Sequence, residues 1–134
     1  MDLIVDANII FASLIKDSLT AELLFVDRFH LHAPEFLLEE LDKYRAFLLD
    51  KTRRNDEDFE EFLRIIKRRL TLVPKEEIAP FLDKAKHISP DPGDIPYFAL
   101  ALKMGCALWS NDTNLKNQSI VAVFSTKDIL EMLA

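Results

Sequence analysis

The chain has one cysteine, two glycines and no apolar run long enough to cross a membrane. Each scarcity removes a class of protein. Cys106 has no internal partner, so there is no disulfide framework, and the usage fits a reducing, cytoplasmic setting. With glycine only at 93 and 105, no phosphate-cradling loop of the Walker or dinucleotide-binding kind can be built. The apolar start, MDLIVDANII, lacks a basic leader and is interrupted by Asp2 and Asp6, so it reads as a buried strand and not as a signal peptide. Every apolar stretch falls short of the roughly 20 residues that span a bilayer. Positive charge is also scarce: 17 basic against 23 acidic residues leave a net charge of −6. That excludes a protein that coats nucleic acid by charge alone, but not an enzyme that meets phosphate through bound cations.

What is present is ample apolar material in a regular rhythm. Hydrophobic residues make up 49% of 134 residues, enough for one domain over 1–134 with a substantial core. Short strands are expected at Leu3 to Val5, Leu31 to Ala33, Leu72 to Val73, Ala107 to Trp109 and Val121 to Phe124. Helices are expected after Asn8, over Leu19 to Phe29, from Pro34 to about Asp50, over Asp56 to Leu70, Glu76 to Lys86, Ile95 to Met104 and Thr126 to Leu133. Lys51 to Asn55 is a polar break, and Ser89 to Gly93 (SPDPG) is a rigid turn. Strands alternating with helices imply an α/β fold with a parallel sheet covered on both faces. No linker, repeat or low-complexity tract divides it.

Four carboxylates stand where a strand meets a helix or in the first turns of that helix. They are Asp6 in VDANII, Glu40 in PEFLLEEL, Asp94 in DPGDIPYFALAL and Asp112 in LWSNDTNL. In an open parallel sheet such ends gather at one edge, where ligands bind. Carboxylates crowded together repel, and a cation relieves them. Hard oxygen donors suit Mg²⁺ or Mn²⁺, and a site of that kind usually handles phosphate. Each acid also has a plain structural role open to it. Asp6, Asp94 and Asp112 could cap a helix or a turn, although Asn8 already offers a cap for the first helix. Asp91 shares the turn before Asp94 and could do either job. Glu40 could pair with a basic residue. At about 100° per residue, Leu37, Leu41, Tyr44 and Leu48 form one stripe, with Glu40 at its border and Glu39 pointing away.

The other polar residues point less clearly. His30, His32 and His87 lack the spacing of a helical zinc pair and read as surface or packing residues. Lys51 to Arg69 holds seven basic residues against five acidic ones, a solvated helical face on which Arg53, Arg54, Arg68 and Arg69 are the candidates for phosphate contact.

The ordered set VDANII, PEFLLEEL, DPGDIPYFALAL and LWSND resembles a PIN domain, and the match runs over nearly the whole chain. The resemblance implies a three-layer fold with a five-stranded parallel sheet in the order 3-2-1-4-5. It implies a metal-dependent endoribonuclease like the VapC-type toxins, with an RNA substrate, Mg²⁺ or Mn²⁺ as cofactor, an antitoxin as candidate partner and a homodimer as candidate assembly. Carried over by position, Asp6, Glu40, Asp94 and Asp112 match the family's acidic quartet, Asn8 its small polar residue after the first acid, and Asn111 the residue before the last. One departure stands out. Many members carry an acid or histidine two positions after the last aspartate, where this chain has Asn114, and Asp91 is an additional acid that could compensate. The segment from Asp42 to Leu70 falls in the region that often shapes substrate access and partner binding.

The residues admit two other readings. An aspartyl-phosphate phosphatase would want a second aspartate where Asn8 stands, and a receiver domain would want one ending the third strand, where Val73-Pro74-Lys75 offers none. A non-catalytic PIN fold serving as a protein-interaction module is the alternative that stays open.

Overall fold

The computed structural model describes residues 1–15 and 18–134. Five strands, β1 (Asp2–Val5), β2 (His30–Pro34), β3 (Leu70–Val73), β4 (Ala107–Trp109) and β5 (Val123–Phe124), form one sheet in the order β3-β2-β1-β4-β5. Every neighbouring pair is parallel, with Val5 opposite Trp109 and Leu3 opposite both Leu31 and Ala107. Parallel neighbours need crossovers; α-helices supply those before β4, a 3₁₀ turn at Thr113–Lys116 lies between β4 and β5, and helices cover both faces of the sheet. The helices are α1 (Ala7–Ile15), α2 (Ser18–Leu24), α3 (Phe36–Lys43), α4 (Arg45–Thr52), α5 (Asp56–Arg69), α6 (Lys75–Ile78), α7 (Leu82–Ile88), α8 (Ile95–Met104) and α9 (Thr126–Leu133). The α/β architecture with a covered parallel sheet is the one the sequence predicted, and the strand order is the one the family resemblance implied. No helix among the described residues is long and apolar enough to cross a membrane.

β1 is the centre of the sheet, and Leu3, Ile4 and Val5 are wholly buried. On α8, Tyr97 through Ala101 are all buried, so this short helix is apolar nearly all round and lies inside the molecule. It ends at Gly105 with φ 62, the left-handed backbone that glycine adopts without strain. α5 is the opposite case, amphipathic and surface-lying. Asn55 caps it by accepting from the Asp58 amide at 2.8 Å, three acids fill its first turn and three bases its last, in line with the helix dipole. α9 opens with a capping box between Ser125 and Asp128.

Five expectations need correction, each with a physical cause. The helix expected over Leu19 to Phe29 ends at Leu24, because the Arg69 guanidinium donates to the carbonyls of Leu24, Val26 (2.9 Å) and Phe29 (2.8 Å), which therefore face a side chain and not a helical turn. Pro34 ends β2 instead of opening a helix, and the long helix expected to follow is broken at Tyr44, so the stripe of Leu37, Leu41, Tyr44 and Leu48 does not run along one helix. Tyr44 and Phe47 are exposed. The helix expected over Glu76 to Lys86 is interrupted by a 3₁₀ turn at Ala79–Phe81, where Pro80 has no N–H to give. β5 is shorter than expected because the Gln118 side chain occupies the amides of Ile120 (3.0 Å) and Val121 (2.9 Å).

Candidate active site

Asp6 follows the last residue of β1, and its amide bonds the Trp109 carbonyl at 3.3 Å, extending the β1–β4 ladder by one rung. Its side chain turns into the protein and is 2% exposed. Oδ1 accepts from the Ile9 amide at 3.1 Å, so Asp6 caps α1 and Asn8, assigned that task from the sequence, is exposed instead. Oδ2 is buried and has no hydrogen-bond partner in the protein. Burial raises the carboxyl pKa and the charge of Asp112 adds to it, against the Ser110 hydroxyl and the amides of Ile9 and Asn8, which stabilise the anion.

The strand register explains the company Asp6 keeps. Val5 stands opposite Trp109, which puts Asp6 beside Ser110, and Ser110 is 1% exposed. The Ser110 hydroxyl oxygen accepts the Asp112 amide at 3.1 Å and so sets the turn that carries Asp112. Asp112 Oδ1 in turn accepts the Asn114 amide at 3.0 Å. Asn111 faces away and fixes the start of α9 by accepting the Thr126 amide at 2.8 Å. Asn114 is exposed and accepts from the Asn117 side chain at 2.9 Å.

Asp94 ends the 3₁₀ turn Pro92–Asp94, and Asp91 caps that turn through Gly93 N at 2.8 Å. Asp94 itself makes no side-chain cap bond. Its pKa is pushed up to about 7, first by burial and then by the charges of Asp6, Asp91, Asp112 and Glu40. Glu40, half-buried on α3, accepts the Tyr97 hydroxyl on Oε1 at 2.5 Å, while Glu39 is exposed. Burial raises the Glu40 pKa; the Tyr97 bond opposes this and the Asp6 charge adds to it. Tyr97 is raised well above the usual phenol range by its own burial and by Glu40. The edge beyond β1 and β4 is thus a field of mutually repelling carboxylates with no cationic side chain among the main influences on Asp6 or Asp94.

Among the described residues, no three His, Cys, Asp or Glu side chains are drawn as close as the ligands of one ion. Carboxylates without a counter-charge spread apart. The donor set nevertheless has the chemistry a hard divalent cation takes: carboxylate oxygens, one of them buried and unpartnered.

The sequence matches the PIN domain family over residues 4–133. The chain is a PIN domain. PIN domains are generally nucleases and generally use divalent metal ions. The fold is similar to that in the crystal structure of VapBC2 from Rickettsia felis bound to a DNA fragment from their promoter, with a TM-score of 0.71 at 15% identity over 93% of this chain and 98% of that one. No curated protein matches the sequence.

Two residues of this PIN domain's acidic edge escaped the sequence reading. Tyr97 lies one helical turn after Asp94, and a tyrosine inside an otherwise apolar helix needs a partner for its hydroxyl, which was the available signal. Ser110 follows β4 as Asp6 follows β1, visible once those strands are taken as neighbours. The arginine candidates do not form one patch. Arg53 and Arg54 lie in the α4–α5 connection, and Arg53 adopts a left-handed backbone there. Arg68 and Arg69 end α5, about 21 Å away along a 14-residue helix, at the edge where β3 begins and not where the strands end. The Arg69 guanidinium is taken by the carbonyls of Leu24, Val26 and Phe29, so Arg69 serves the fold.

Proposed function

We propose that this PIN domain is a metal-dependent endoribonuclease whose centre is Asp6, Glu40, Asp94 and Asp112. The observation that carries this reading is the Asp6 carboxylate. One oxygen caps α1 and the other is buried with no partner, at the rim where Asp94 already feels four other acids. A lone buried acceptor costs about 1–3 kcal/mol, and a cation relieves it.

In this reading Asp6, Asp94 and Asp112 hold Mg²⁺ or Mn²⁺, with Glu40 directly or through water. When bound, the ion supplies Lewis-acid polarisation of a phosphodiester and lowers the pKa of an attacking water. The protein's own residues do the rest. The Ser110 hydroxyl, accepting the Asp112 amide, and the Asn114 amide, donating to the Asp112 carboxylate, hold the turn of Asp112, and the Asp91 carboxylate holds that of Asp94. A carboxylate of the cluster accepts the proton that the water loses. The charge of −6 repels RNA at long range, so the strand is met through the cation and through local bases such as Arg53 and Arg54. The match to the PIN domain family and the likeness to a VapBC complex support a toxin paired with an antitoxin, and a homodimer belongs to the same proposal.

Purified wild type and Asp6→Asn, each given a mixed pool of single-stranded and looped RNA in Mg²⁺, Mn²⁺ and EDTA, test the reading. Wild type cleaves slowly and only with metal, and Asp6→Asn is inactive but folded. Equal metal-dependent products from both would indicate a contaminant. No products from wild type would favour the interaction-module alternative.

A further inference from the structure

We infer that Tyr97 is a positioning residue that fixes which cations the acidic centre accepts, by holding one oxygen of Glu40 and leaving a single oxygen to face the cluster. The inference rests on the metal-site reading above and deepens it. Tyr97 Oη donates to Glu40 Oε1 at 2.5 Å, a short bond of the charge-assisted kind. The phenol cannot swing away: Tyr97 is 1% exposed, on a helix whose next four residues are also buried, and its ring meets Phe36 edge-on at 6.3 Å between centroids. Phe36 and Glu40 are one turn apart on α3, so the same tyrosine braces the helix by packing and aims its carboxylate by a hydrogen bond. Among the described residues Tyr97 is the side chain that donates to Glu40; the Lys43 charge acts on it only weakly, from the exposed side of α3.

The consequence follows from how hard cations bind carboxylates. Ca²⁺ takes six to eight oxygens and readily uses both oxygens of one carboxylate, whereas Mg²⁺ demands near-octahedral single-oxygen contacts at shorter range. A glutamate with one oxygen held by a buried phenol offers a single oxygen. It therefore suits a small octahedral ion and penalises a larger one that would chelate. Ordering a ligand from behind in this way typically changes metal affinity by about 10–100-fold.

Direct binding of Mn²⁺ and of Ca²⁺ by calorimetry, on wild type, Tyr97→Phe, Glu40→Gln and the double variant, tests this without recourse to activity. Tyr97→Phe keeps the ring and its packing and removes one oxygen. Expected is a ratio of Ca²⁺ to Mn²⁺ dissociation constants that narrows about tenfold in Tyr97→Phe, and no further change when Tyr97→Phe is added to Glu40→Gln. Equal weakening for both ions, additive effects in the double variant, or unchanged constants would overturn the inference while leaving the metal site standing. Should Tyr97→Phe not fold, the wild-type and Glu40→Gln ratios decide alone, because the inference requires Glu40→Gln to erase the preference. Wild type that binds neither ion would overturn both this inference and the metal-site reading.

Discussion

The raised pKa of Asp94 makes the metal-free protein less stable as the solution becomes less acidic. Burial and four neighbouring acids push this carboxyl from its ordinary 3.8 to about 7. The folded form therefore holds the proton more tightly than the unfolded chain. Stability from this group is complete below about pH 4 and is lost as pH rises through about 7. A shift of about three units corresponds to about 4 kcal/mol at full effect. Asp94 is only half-buried, so solvent screening reduces this to about 2 kcal/mol. For a chain of this length that is a fall of about 8 °C in Tm. Asp6 and Glu40 are raised for the same reason and act in the same direction. Asp128, held down at about 2 by Ser125 and Lys116, acts in the opposite direction and only at strong acid.

The assay is a series of thermal melts in EDTA from pH 4 to pH 8 on wild type and Asp94→Asn. Asparagine nearly keeps the shape and cannot ionise, so the variant should lose much less stability across the range and should exceed wild type at pH 8. Millimolar Mn²⁺ should raise the wild-type Tm at pH 8, because an ion that binds only the folded state shifts the equilibrium toward it. Binding at pH 6 should release more protons than at pH 8, since the ion displaces the proton that Asp94 holds. Parallel pH dependence in the two proteins would refute the assignment of the shift to Asp94.

Three further outcomes follow from particular contacts. Arg69→Ala should lower stability by about 3 kcal/mol in chemical denaturation, because it orphans the carbonyls of Leu24, Val26 and Phe29, whereas Arg68→Ala should stay within about 0.5 kcal/mol; equal effects would contradict the clamp. Arg53→Ala with Arg54→Ala should weaken RNA binding at low salt and flatten its salt dependence, read from filter binding at several ionic strengths, and an unchanged slope would remove these residues from the interface. Glu40→Gln should weaken Mn²⁺ binding tenfold or more while Glu39→Gln leaves it at the wild-type value, since Glu39 is exposed and Glu40 bonds Tyr97; equal loss in both would show that the helix presents the wrong residue.

How much of the fold could be read in advance depended on how near in sequence the groups that end each element lie. β4, α8 and α9 have the ends the sequence gives them: Gly105 stops α8, and at α9 the capping box of Ser125 and Asp128 marks the same start that Asn111 holds from fifteen residues away. One error arose where a distant side chain reached the backbone: Arg69, forty or more residues along the chain, decides where α2 stops, and no window of local sequence contains that information. Gln118 stands two and three residues before the amides it occupies, and Pro80 sits inside the helix it interrupts, so those two signals were within local reach. Tyr44 breaks the helical run between β2 and β3, and nothing in its residue type forbids a helix.

For the acidic edge, the sequence posed the wrong alternative. Each aspartate was weighed as either a cap or a ligand, as if one role excluded the other. A carboxylate has two oxygens and about four lone-pair directions. Asp6 caps α1 with Oδ1 and leaves Oδ2 buried and unpartnered, Asp112 caps its turn with Oδ1, and Glu40 receives Tyr97 on Oε1. The cap bonds fix the orientation of the group and thereby aim the remaining oxygen. A capping position at the carboxyl end of a parallel strand is therefore the place where an acid can be held rigid without exhausting its acceptors, and the signals for structure and for chemistry coincide at the same residue. Asp94 is the exception that makes the distinction visible. It has no side-chain cap bond, since Asp91 caps its turn. An acid relieved of capping by its neighbour spends no oxygen on its own turn.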